Sequence, residues 1–312
     1  MKRRLILAGG SGFLGQALAV HFTGLGWDVV VLTRNPLASK KVGRQVEWDG
    51  KTLAGWTREV EGASAVLNLT GRTVDCRYTA ENRRLILESR VDSTRIMGEA
   101  IAHCASPPSV WLNSSTATIY RYTTGSAWDE SGEIGSTPEA HDGFSLEVAK
   151  AWEETLFRAP VQSTRRLAMR TAMVLGRGSN SVFPVLRRLV RLGLGGRMGS
   201  GKQYVSWIHE RDFCRAVEFL ILREDLSGAV NFTSPNPVEN HKLMHAFREV
   251  CGVPFGLPAQ EWMLEVGAFF LRTETELILK SRRVVPGRLM AEGFEFQFPE
   301  ITAALRDLNA KP

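Results

Sequence analysis

The amino-acid sequence predicts an α/β fold with a doubly wound parallel sheet and a smaller, mainly helical C-terminal region. Three observations predict it: the first half alternates apolar runs with helical periodicity, a glycine-rich turn follows the first apolar run, and helical patterns dominate the second half. The apolar runs are nearly continuous rather than alternating, as in strands that are buried on both faces. A sheet covered by helices on each side is therefore expected.

Six strands are predicted from β-rich apolar runs at residues 4–8, 27–32, 45–48, 65–69, 109–112 and 163–169. Helical periodicity lies between them at residues 13–25, 80–104 and 144–157. Three further helices are predicted at residues 210–222, 238–250 and 258–271, with prolines at their joints. A boundary near residue 175 divides the chain into regions 1–175 and 176–312, and we allow for strands of the second region returning to the first sheet.

Composition and charge exclude several classes of protein. Hydrophobic residues make up 44% and charged residues 23% of the 312 residues, so we expect a folded chain. The 39 basic and 33 acidic residues leave a net charge of +6, but the charges are scattered, and no nucleic-acid partner is expected. No apolar run approaches the roughly 18–20 residues that cross a bilayer, so no membrane association is expected. Four separated cysteines without a C-x-x-C pair predict a reducing cytoplasm, without a metal site or disulfides.

The most informative motif lies between the first predicted strand and the first predicted helix. Its glycines Gly9, Gly12 and Gly15 have the spacing G-x-x-G-x-x-G. They let the chain turn sharply, bring bare backbone against a diphosphate and pack the helix close to the sheet. The helix N-terminus adds unpaired amides and the positive end of its dipole. The motif predicts a Rossmann-type dinucleotide site, with a merely tight turn as the alternative. The residues of this site are Gly9, Ser11, Gly12, Phe13, Leu14 and Gly15.

The end of the second strand indicates which dinucleotide is bound. NAD sites usually place an Asp or Glu there to hold the ribose 2′-hydroxyl. This chain has Thr33 and Arg34 instead, with no carboxylate among residues 31–36. A guanidinium suits a 2′-phosphate, and the Thr33 hydroxyl adds a donor. We therefore expect NADP(H); the alternative is that Arg34 is a solvated residue at a strand end.

Two weaker signals fit the same pocket. Leu69, Thr70 and Gly71 follow the fourth strand, where backbone and small side chains suit the adenine–ribose side. Asp49 follows the third strand, and its carboxylate either accepts a hydrogen bond from the adenine amino group or serves as an ordinary turn residue. Both interpretations of Asp49 stay open at this point.

These residues resemble those of the extended short-chain dehydrogenases/reductases, of the nucleoside-diphosphate-sugar-epimerase-like kind. Segments 114–120, 170–176 and 199–212 extend the resemblance over nearly the whole chain. More narrowly, the chain is similar to an atypical branch called epimerase family proteins, sometimes labelled cell-division-inhibitor-like, through residues 89–94 and a C-terminal extension at 279–296. The resemblance implies that the dinucleotide is contacted by Thr33, Arg34, Leu69, Thr70, Arg90, Ser114 and Val174.

In that superfamily a Tyr acts as general acid/base, a Lys four residues later lowers its pKa, and a Ser or Thr hydroxyl orients the substrate oxygen. Thr116, at the end of the fifth strand, is the candidate hydroxyl. The four tyrosines all lack a lysine at the fourth following position, and by resemblance Phe144 and Val148 occupy the places of the pair. Lys150 is a poor substitute for the missing lysine, since two residues on a helix turn a side chain by about 200°.

Another group must therefore move the proton if the protein is an enzyme. Tyr120 is the first candidate, and the alternative is that it is a buried structural tyrosine. Tyr122 and His141 are weaker candidates. His209 and Asp212 either touch substrate or cap and pack a helix. The glycine-rich stretch 193–201 is either a flap over an anionic substrate or a plain surface loop.

The expected function is that of an NADP(H)-dependent oxidoreductase or epimerase acting on an unknown small molecule, with Thr116 holding the reacting oxygen. The alternative is a catalytically silent NADP(H)-binding or redox-sensing protein. The missing Tyr–Lys pair favours the second, while the intact glycine motif and the full-sized second region favour the first. Region 1–175 is then the NADP-binding domain and region 176–312 the substrate side, in a cytoplasmic monomer or homodimer.

Overall fold

The computed structural model describes residues 2–36, 42–137, 140, 142–178, 180–260, 262–263 and 280–310. The strands in these residues are β1 (Arg4–Ala8), β2 (Asp28–Thr33), β3 (Arg44–Glu47), β4 (Ala65–Asn68), β5 (Val110–Thr116), β6 (Arg165–Thr171), β7 (Met173–Leu175), β8 (Tyr204–Val205), β9 (Trp207–His209), β10 (Gly228–Phe232) and β11 (Val238–Glu239). The helices are α1 (Phe13–Gly24), α2 (Thr57–Val60), α3 (Ala80–Ala102), α4 (Gly143–Arg158), α5 (Val182–Arg191), α6 (Glu210–Leu222), α7 (Asn240–Cys251), α8 (Gly287–Ala291) and α9 (Ile301–Asn309), with a 3₁₀ turn at Ala117–Ile119.

Seven strands form one parallel sheet in the spatial order β10-β6-β5-β4-β1-β2-β3. The chain runs outward from β1 in both directions, so the strand order reverses between β1 and β4. The edge strand next to β6 is β10, which comes from the second half of the chain. It pairs with β6 from Gly228 opposite Leu167 to Phe232 opposite Thr171. The predicted α/β fold class with a doubly wound parallel sheet is confirmed.

Both faces of the sheet are buried, which explains the continuous apolar runs. In β1, Leu5 and Leu7 belong to the core under α1 and α6, whereas Ile6 and Ala8 belong to the core on the opposite face, under α3. All four side chains are fully buried, and each large aliphatic one contributes about 1.5–3 kcal/mol. A third apolar cluster joins α5, α7 and α9 to the short parallel pair β7 and β9.

Three elements differ from their predicted bounds. The helix predicted at 238–250 begins at Asn240, because Val238 and Glu239 pair antiparallel with Val205 and Tyr204. Strand β5 continues past the predicted end at residue 112 to Thr116. The helix predicted at 258–271 lies mostly outside the described residues, and its second residue, Ala259, forms a bridge with Met198 instead. Within the described ranges, no helix is both long and apolar enough to cross a membrane.

Candidate functional site

The strand register brings the predicted site residues to one edge of the sheet. Ala8 lies opposite Leu32 on one side and Asn68 on the other, and Asn68 lies opposite Asn113. Residues 9–15, 34 and 69–71 therefore leave the sheet at its carboxyl edge, where Thr33 is the last residue of β2 and residues 114–116 are the last of β5. Ligands of open parallel sheets bind at this edge, at the point where the strand order reverses.

Each glycine of the motif has a separate steric role. Gly9 has a φ of 70°, and a Cβ there would lie 2.9 Å from the amide nitrogen of Thr70. A Cβ on Gly15 would lie 2.3 Å from the Cα of Gly10, so this glycine lets the helix pack against the turn. The nearest atom to a Cβ on Gly12 would be 3.9 Å away, which leaves open space in front of the turn. The turn thus combines close packing behind with an open front, as backbone binding of a phosphate requires.

Helix α1 begins at this open front. No side chain caps its first turn, where Gly12 is the N-cap. Gln16, which the sequence analysis missed, donates from Nε2 to the Gly10 carbonyl at 2.9 Å and accepts from the Val42 amide at 3.0 Å. The sequence feature that could have indicated this role of Gln16 is a polar residue one helical turn after the N-cap Gly12. Ser11 and Leu14 are half-buried beside these groups, and Leu14 packs on the core of the α1 face.

Phe13 of the motif packs on a second loop, which follows β7. Cβ atoms on Gly176 and Gly178 would lie 2.3 and 2.4 Å from its ring. The amide of Arg177 donates to Glu210 Oε1 at 3.1 Å, and burial raises the pKa of the Glu210 carboxyl. Val174, in β7, is half-buried in front of this loop. A cavity of about 680 Å³ lies along the turn and the loop. It is lined by Ser11, Gly12, Phe13, Gln16, Ala17, Val20, His21, Gly178, Asn180, Glu210, Arg211 and Cys214.

Arg34 borders a second cavity, of about 570 Å³, at the end of β2. The cavity is lined by Arg34, Val46, Glu47, Trp48, Asp49, Thr52, Ala54, Gly55 and Trp56. The Arg34 side chain is exposed and forms no ion pair with any residue in the described ranges. Thr33 is buried, and its hydroxyl accepts a long hydrogen bond of 3.5 Å from the Asn35 amide. The position thus holds a cation next to a cavity, without an ion-pair partner among the described residues.

Asp49 lies in the same cavity as a turn residue. Its Oδ1 accepts from the Lys51 amide at 2.8 Å and the Thr52 amide at 2.9 Å, and its Oδ2 accepts from the Thr52 hydroxyl at 2.7 Å. Partial burial opposes ionisation, but these hydrogen bonds outweigh it and lower the pKa of Asp49. The geometry favours the turn role of the two that the sequence left open.

The end of β4 is fixed by a buried amide. Asn68 Nδ2 donates to Asn113 Oδ1 at 2.9 Å, and its Oδ1 accepts from the Thr70 amide at 3.0 Å. The Thr70 hydroxyl oxygen is buried and finds no hydrogen-bond partner within the described part of the chain. Leu69 is held by its amide, which donates to the Ala8 carbonyl at 2.9 Å. Beside the glycine turn, the structure therefore leaves one hydroxyl available to a ligand.

Arg90 reaches the same edge from α3. Its Nη1 donates to the carbonyls of Ile86 and Arg72, and its guanidinium lies 5.0 Å from the Trp152 ring centroid. A Cβ on Gly71 would lie 3.1 Å from the guanidinium carbon, so the two predicted residues are neighbours. Burial lowers the pKa of Arg90 to about 10, which leaves it charged at neutral pH.

Thr116 lies at the end of β5, and its hydroxyl is hydrogen-bonded to Thr118. Its Oγ1 donates to Thr118 Oγ1 at 2.9 Å and accepts from the Thr118 amide at 3.1 Å. The side chain is half-buried at the carboxyl edge, as is that of Ser114 two residues earlier. Whether Thr116 orients a substrate oxygen stays a prediction.

Tyr120, the first candidate for proton transfer, lies in a buried polar network. Its hydroxyl donates to Asn231 Oδ1 at 2.8 Å and accepts from Arg170 Nη1 at 2.8 Å, and Arg170 pairs with Glu153. Burial raises the pKa of Tyr120 despite the neighbouring cation. The side chain is 2% exposed. This geometry favours the alternative of a buried structural tyrosine, and the proton-transfer role of Tyr120 stays a prediction.

The place of the missing catalytic pair is apolar. Phe144 packs edge-on against Tyr78, with ring centroids 5.0 Å apart. Val148 is buried, and Lys150 is exposed. His141 lies outside the described residues.

His209 and Asp212 have structural partners. His209 Nδ1 accepts from the Arg211 amide at 3.0 Å, which caps α6, and Asp212 accepts from the amides of Gln297 and Phe298. Within the glycine-rich stretch 193–201, the Gly196 amide donates to Leu257 and the Gly199 amide to Ala259. Capping and packing thus account for the two side chains. Elsewhere in the described ranges, no group of three His, Cys, Asp or Glu side chains is arranged to hold a metal ion.

A dinucleotide fits the residues at this edge. The space in front of Gly12 and the uncapped first turn of α1 accommodate a diphosphate. Thr70, whose buried hydroxyl has no hydrogen-bond partner in the described ranges, lies next to Gly9 of this turn, and Arg34, without an ion pair among the same residues, borders a cavity. No carboxylate replaces Arg34 at the end of β2, where a 2′-hydroxyl would need one.

Comparison with known proteins identifies the family of the chain. The model of the NAD dependent epimerase/dehydratase family matches residues 5–231, and that of a domain of unknown function (DUF1731) matches residues 261–308. The chain is 31% identical to epimerase family protein SDR39U1 of Bos taurus over 98% of this chain and 100% of that protein. It is 26% identical to epimerase family protein YfhF of Bacillus subtilis (strain 168) over 98% of each.

Among solved structures, the human epimerase family protein SDR39U1 (isoform 2) with NADPH is similar to this chain, with a TM-score of 0.86 and 26% identity. The similarity covers 98% of this chain and 99% of the human one. The resemblance expected from the motifs is confirmed. This chain belongs to the NAD-dependent epimerase/dehydratase family.

Proposed function

We propose that the protein binds NADP(H) at the carboxyl edge of the sheet and uses it as an oxidoreductase or epimerase on a small carbonyl, alcohol or sugar-like molecule. The observation that carries the proposal is Arg34, an exposed cation without an ion-pair partner in the described residues, bordering a cavity of about 570 Å³. A similar protein, human SDR39U1, was solved with NADPH. A 2′-phosphate is the cofactor group that such a guanidinium suits.

Different residues of this chain would contact different groups of the cofactor and the substrate. The amides after Gly12 would hold the diphosphate, Thr70 would offer its hydroxyl on the adenine–ribose side, and Arg34 would bind the 2′-phosphate. When bound, the cofactor supplies or accepts a hydride. Thr116, at the end of β5, orients the reacting oxygen of the substrate through the same hydroxyl that contacts Thr118.

Arg34→Glu tests the cofactor assignment. We expect the Kd for NADPH to rise about 100-fold in a fluorescence titration, since a charge-assisted pair is lost and a repulsion is added. The Kd for NADH should change little, because NADH carries no 2′-phosphate. Arg58→Glu is the matched control, as it makes the same charge change on an exposed side chain outside the cavity lining. An unaltered NADPH affinity in Arg34→Glu would remove the 2′-phosphate assignment.

The second candidate function is a silent NADP(H)-binding protein. Two observations favour it: the Tyr120 hydroxyl is committed to Asn231 and Arg170, and Val148 is buried in the place of the lysine. The two functions differ in one measurement. Consumption of bound NADPH with a panel of aldehydes, ketones and nucleotide sugars supports the enzyme, and absence of turnover across the panel supports the silent protein.

A further inference from the structure

The last turn of α9 contacts the loop that packs on Phe13. Asp307 Oδ1 lies 3.2 Å from Arg211 Nη1, and its Oδ2 lies 3.3 Å from His209 Nε2 and 3.8 Å from Arg177 Nη2. Arg177 also donates to the backbone carbonyl of Asp307. One carboxylate of the C-terminal helix therefore joins β9, α6 and the loop after β7.

This loop continues the contact to the glycine motif. Gly176 and Gly178, on either side of Arg177, are packed against the Phe13 ring so closely that a Cβ on either would overlap it. Phe13 is the first residue of α1, directly after Gly12. A displacement of Arg177 would therefore be transmitted to the first turn of α1 by direct packing rather than through solvent.

The charges at this point also need a counter-ion. Arg211 and Gly178 line the cavity that opens at Ser11 and Gly12, and Arg177 precedes Gly178 in the chain. Asp307 is the carboxylate that contacts both arginines. Without it, Arg177 and Arg211 would lose a shared counter-ion, and Arg177 would keep only its contacts with the Asp307 backbone carbonyl and, through its amide, with Glu210.

We propose that the C-terminal helix is a positioning element for the diphosphate end of the dinucleotide site, with Asp307 as its positioning residue. Asp307 holds Arg177 and also pairs with Arg211 of α6; Arg177 fixes loop 176–178 against Phe13, and Phe13 in turn fixes the first turn of α1. The proposal rests on the proposed function and gives a role to the C-terminal segment 261–308, which matches a domain of unknown function.

Asp307→Asn tests the proposal with two readouts. We expect amide hydrogen exchange of residues 11–14 and 176–178 to become faster in the cofactor-free protein, and the Kd for NADPH to rise about five- to twentyfold. Arg306→Ala is the matched control, because it removes an exposed ion pair of the same helix, with Glu249, and leaves the loop contacts in place. It should alter neither readout.

Arg177→Ala supplies a second variant in case Asp307→Asn folds poorly. Combined with Asp307→Asn, it should raise the Kd for NADPH less than the product of the single effects, because both variants weaken the contact between Arg177 and Asp307. Unchanged exchange at residues 11–14 in folded Asp307→Asn, or an equal increase in Arg306→Ala, would overturn the proposal. If the wild-type protein fails to bind NADPH, the proposed function falls, while the exchange readout still decides the role of Asp307.

Discussion

At the scale of single residues, the three motif glycines differ in what surrounds them. Gly12 borders open space with a φ of −80°, which any residue adopts, whereas Gly15 is in contact with Gly10. The same substitution should therefore prevent cofactor binding at Gly12 and lower the free energy of unfolding at Gly15.

Gly12→Val should keep the fold and abolish the proposed NADPH binding, because its side chain fills the space in front of the turn. Gly15→Val should lower the free energy of unfolding by about 3 kcal/mol or more, since its Cβ cannot fit beside Gly10. Fluorescence titration and urea unfolding of both variants measure the two effects. Retained affinity in Gly12→Val would remove the turn from the binding site.

Residue roles that depend on distant partners could not be predicted from the sequence. The local sequence does not show that the Tyr120 hydroxyl is hydrogen-bonded, because its partners Arg170 and Asn231 lie 50 and 111 residues away along the chain. The choice between two roles for Asp49 depends instead on nearby residues, because the amides that bind its carboxylate are only two and three residues further along the chain. The glycine motif and Arg34 were predictable because their chemistry is set by spacing within one strand–turn–helix unit.

At the scale of elements, strand and helix cores were predicted well and their ends less well. Strand β5 continues through Asn113 and Ser115, which look like loop residues but are buried because Asn68 and Glu153 satisfy their side chains. Residues 238–239 read as helix because their partner strand, β8, is more than thirty residues earlier. Periodicity reports the burial of an element, whereas its ends depend on partners elsewhere in the fold.

The junction of β9 and α6 should make stability depend on pH. The pKa of His209 is lowered to about 4, mainly by burial and in part by the nearby Arg211 cation. The carboxylates of Asp307 and Asp212 raise this pKa, but by less. Because the unfolded pKa is near 6.5, the unfolded state binds the proton first. Stability is then complete above about pH 6.5 and decreases by up to about 3 kcal/mol as the pH falls towards 4.

Urea unfolding of the wild-type protein and of His209→Asn between these pH values measures this dependence. Asparagine can cap the helix but does not titrate, so the variant should lose most of the slope in this range. A slope equal to that of the wild-type protein would show that other groups titrate on unfolding.

At the scale of the whole molecule, buried polar contacts join the C-terminal segment to the sheet. Lys280 forms an ion pair with Asp142 and donates to the Thr118 carbonyl at 2.8 Å, and both charged side chains are almost completely buried. Glu130 accepts from the amides of Asn231 and Arg288. Such contacts fix how the two halves of the chain meet.

Asp142→Asn should lower the free energy of unfolding by about 3 kcal/mol, because it leaves the Lys280 charge buried without its counter-ion. Glu154→Gln is the control on α4, the helix that follows Asp142; its partner Arg158 is exposed, so the loss should stay below about 0.5 kcal/mol. Equal urea midpoints for the two variants would contradict a stabilising role for the buried pair.

The position of β10 has a consequence for the order of folding. A nascent chain that has emerged only as far as β6 presents an open strand edge, which is a template for pairing with other molecules. The layer beneath α1 and α6 also includes Leu289 and Phe294, which are synthesised after every strand of the sheet. The sheet is thus completed late, and its early intermediates should be the species that chaperones bind.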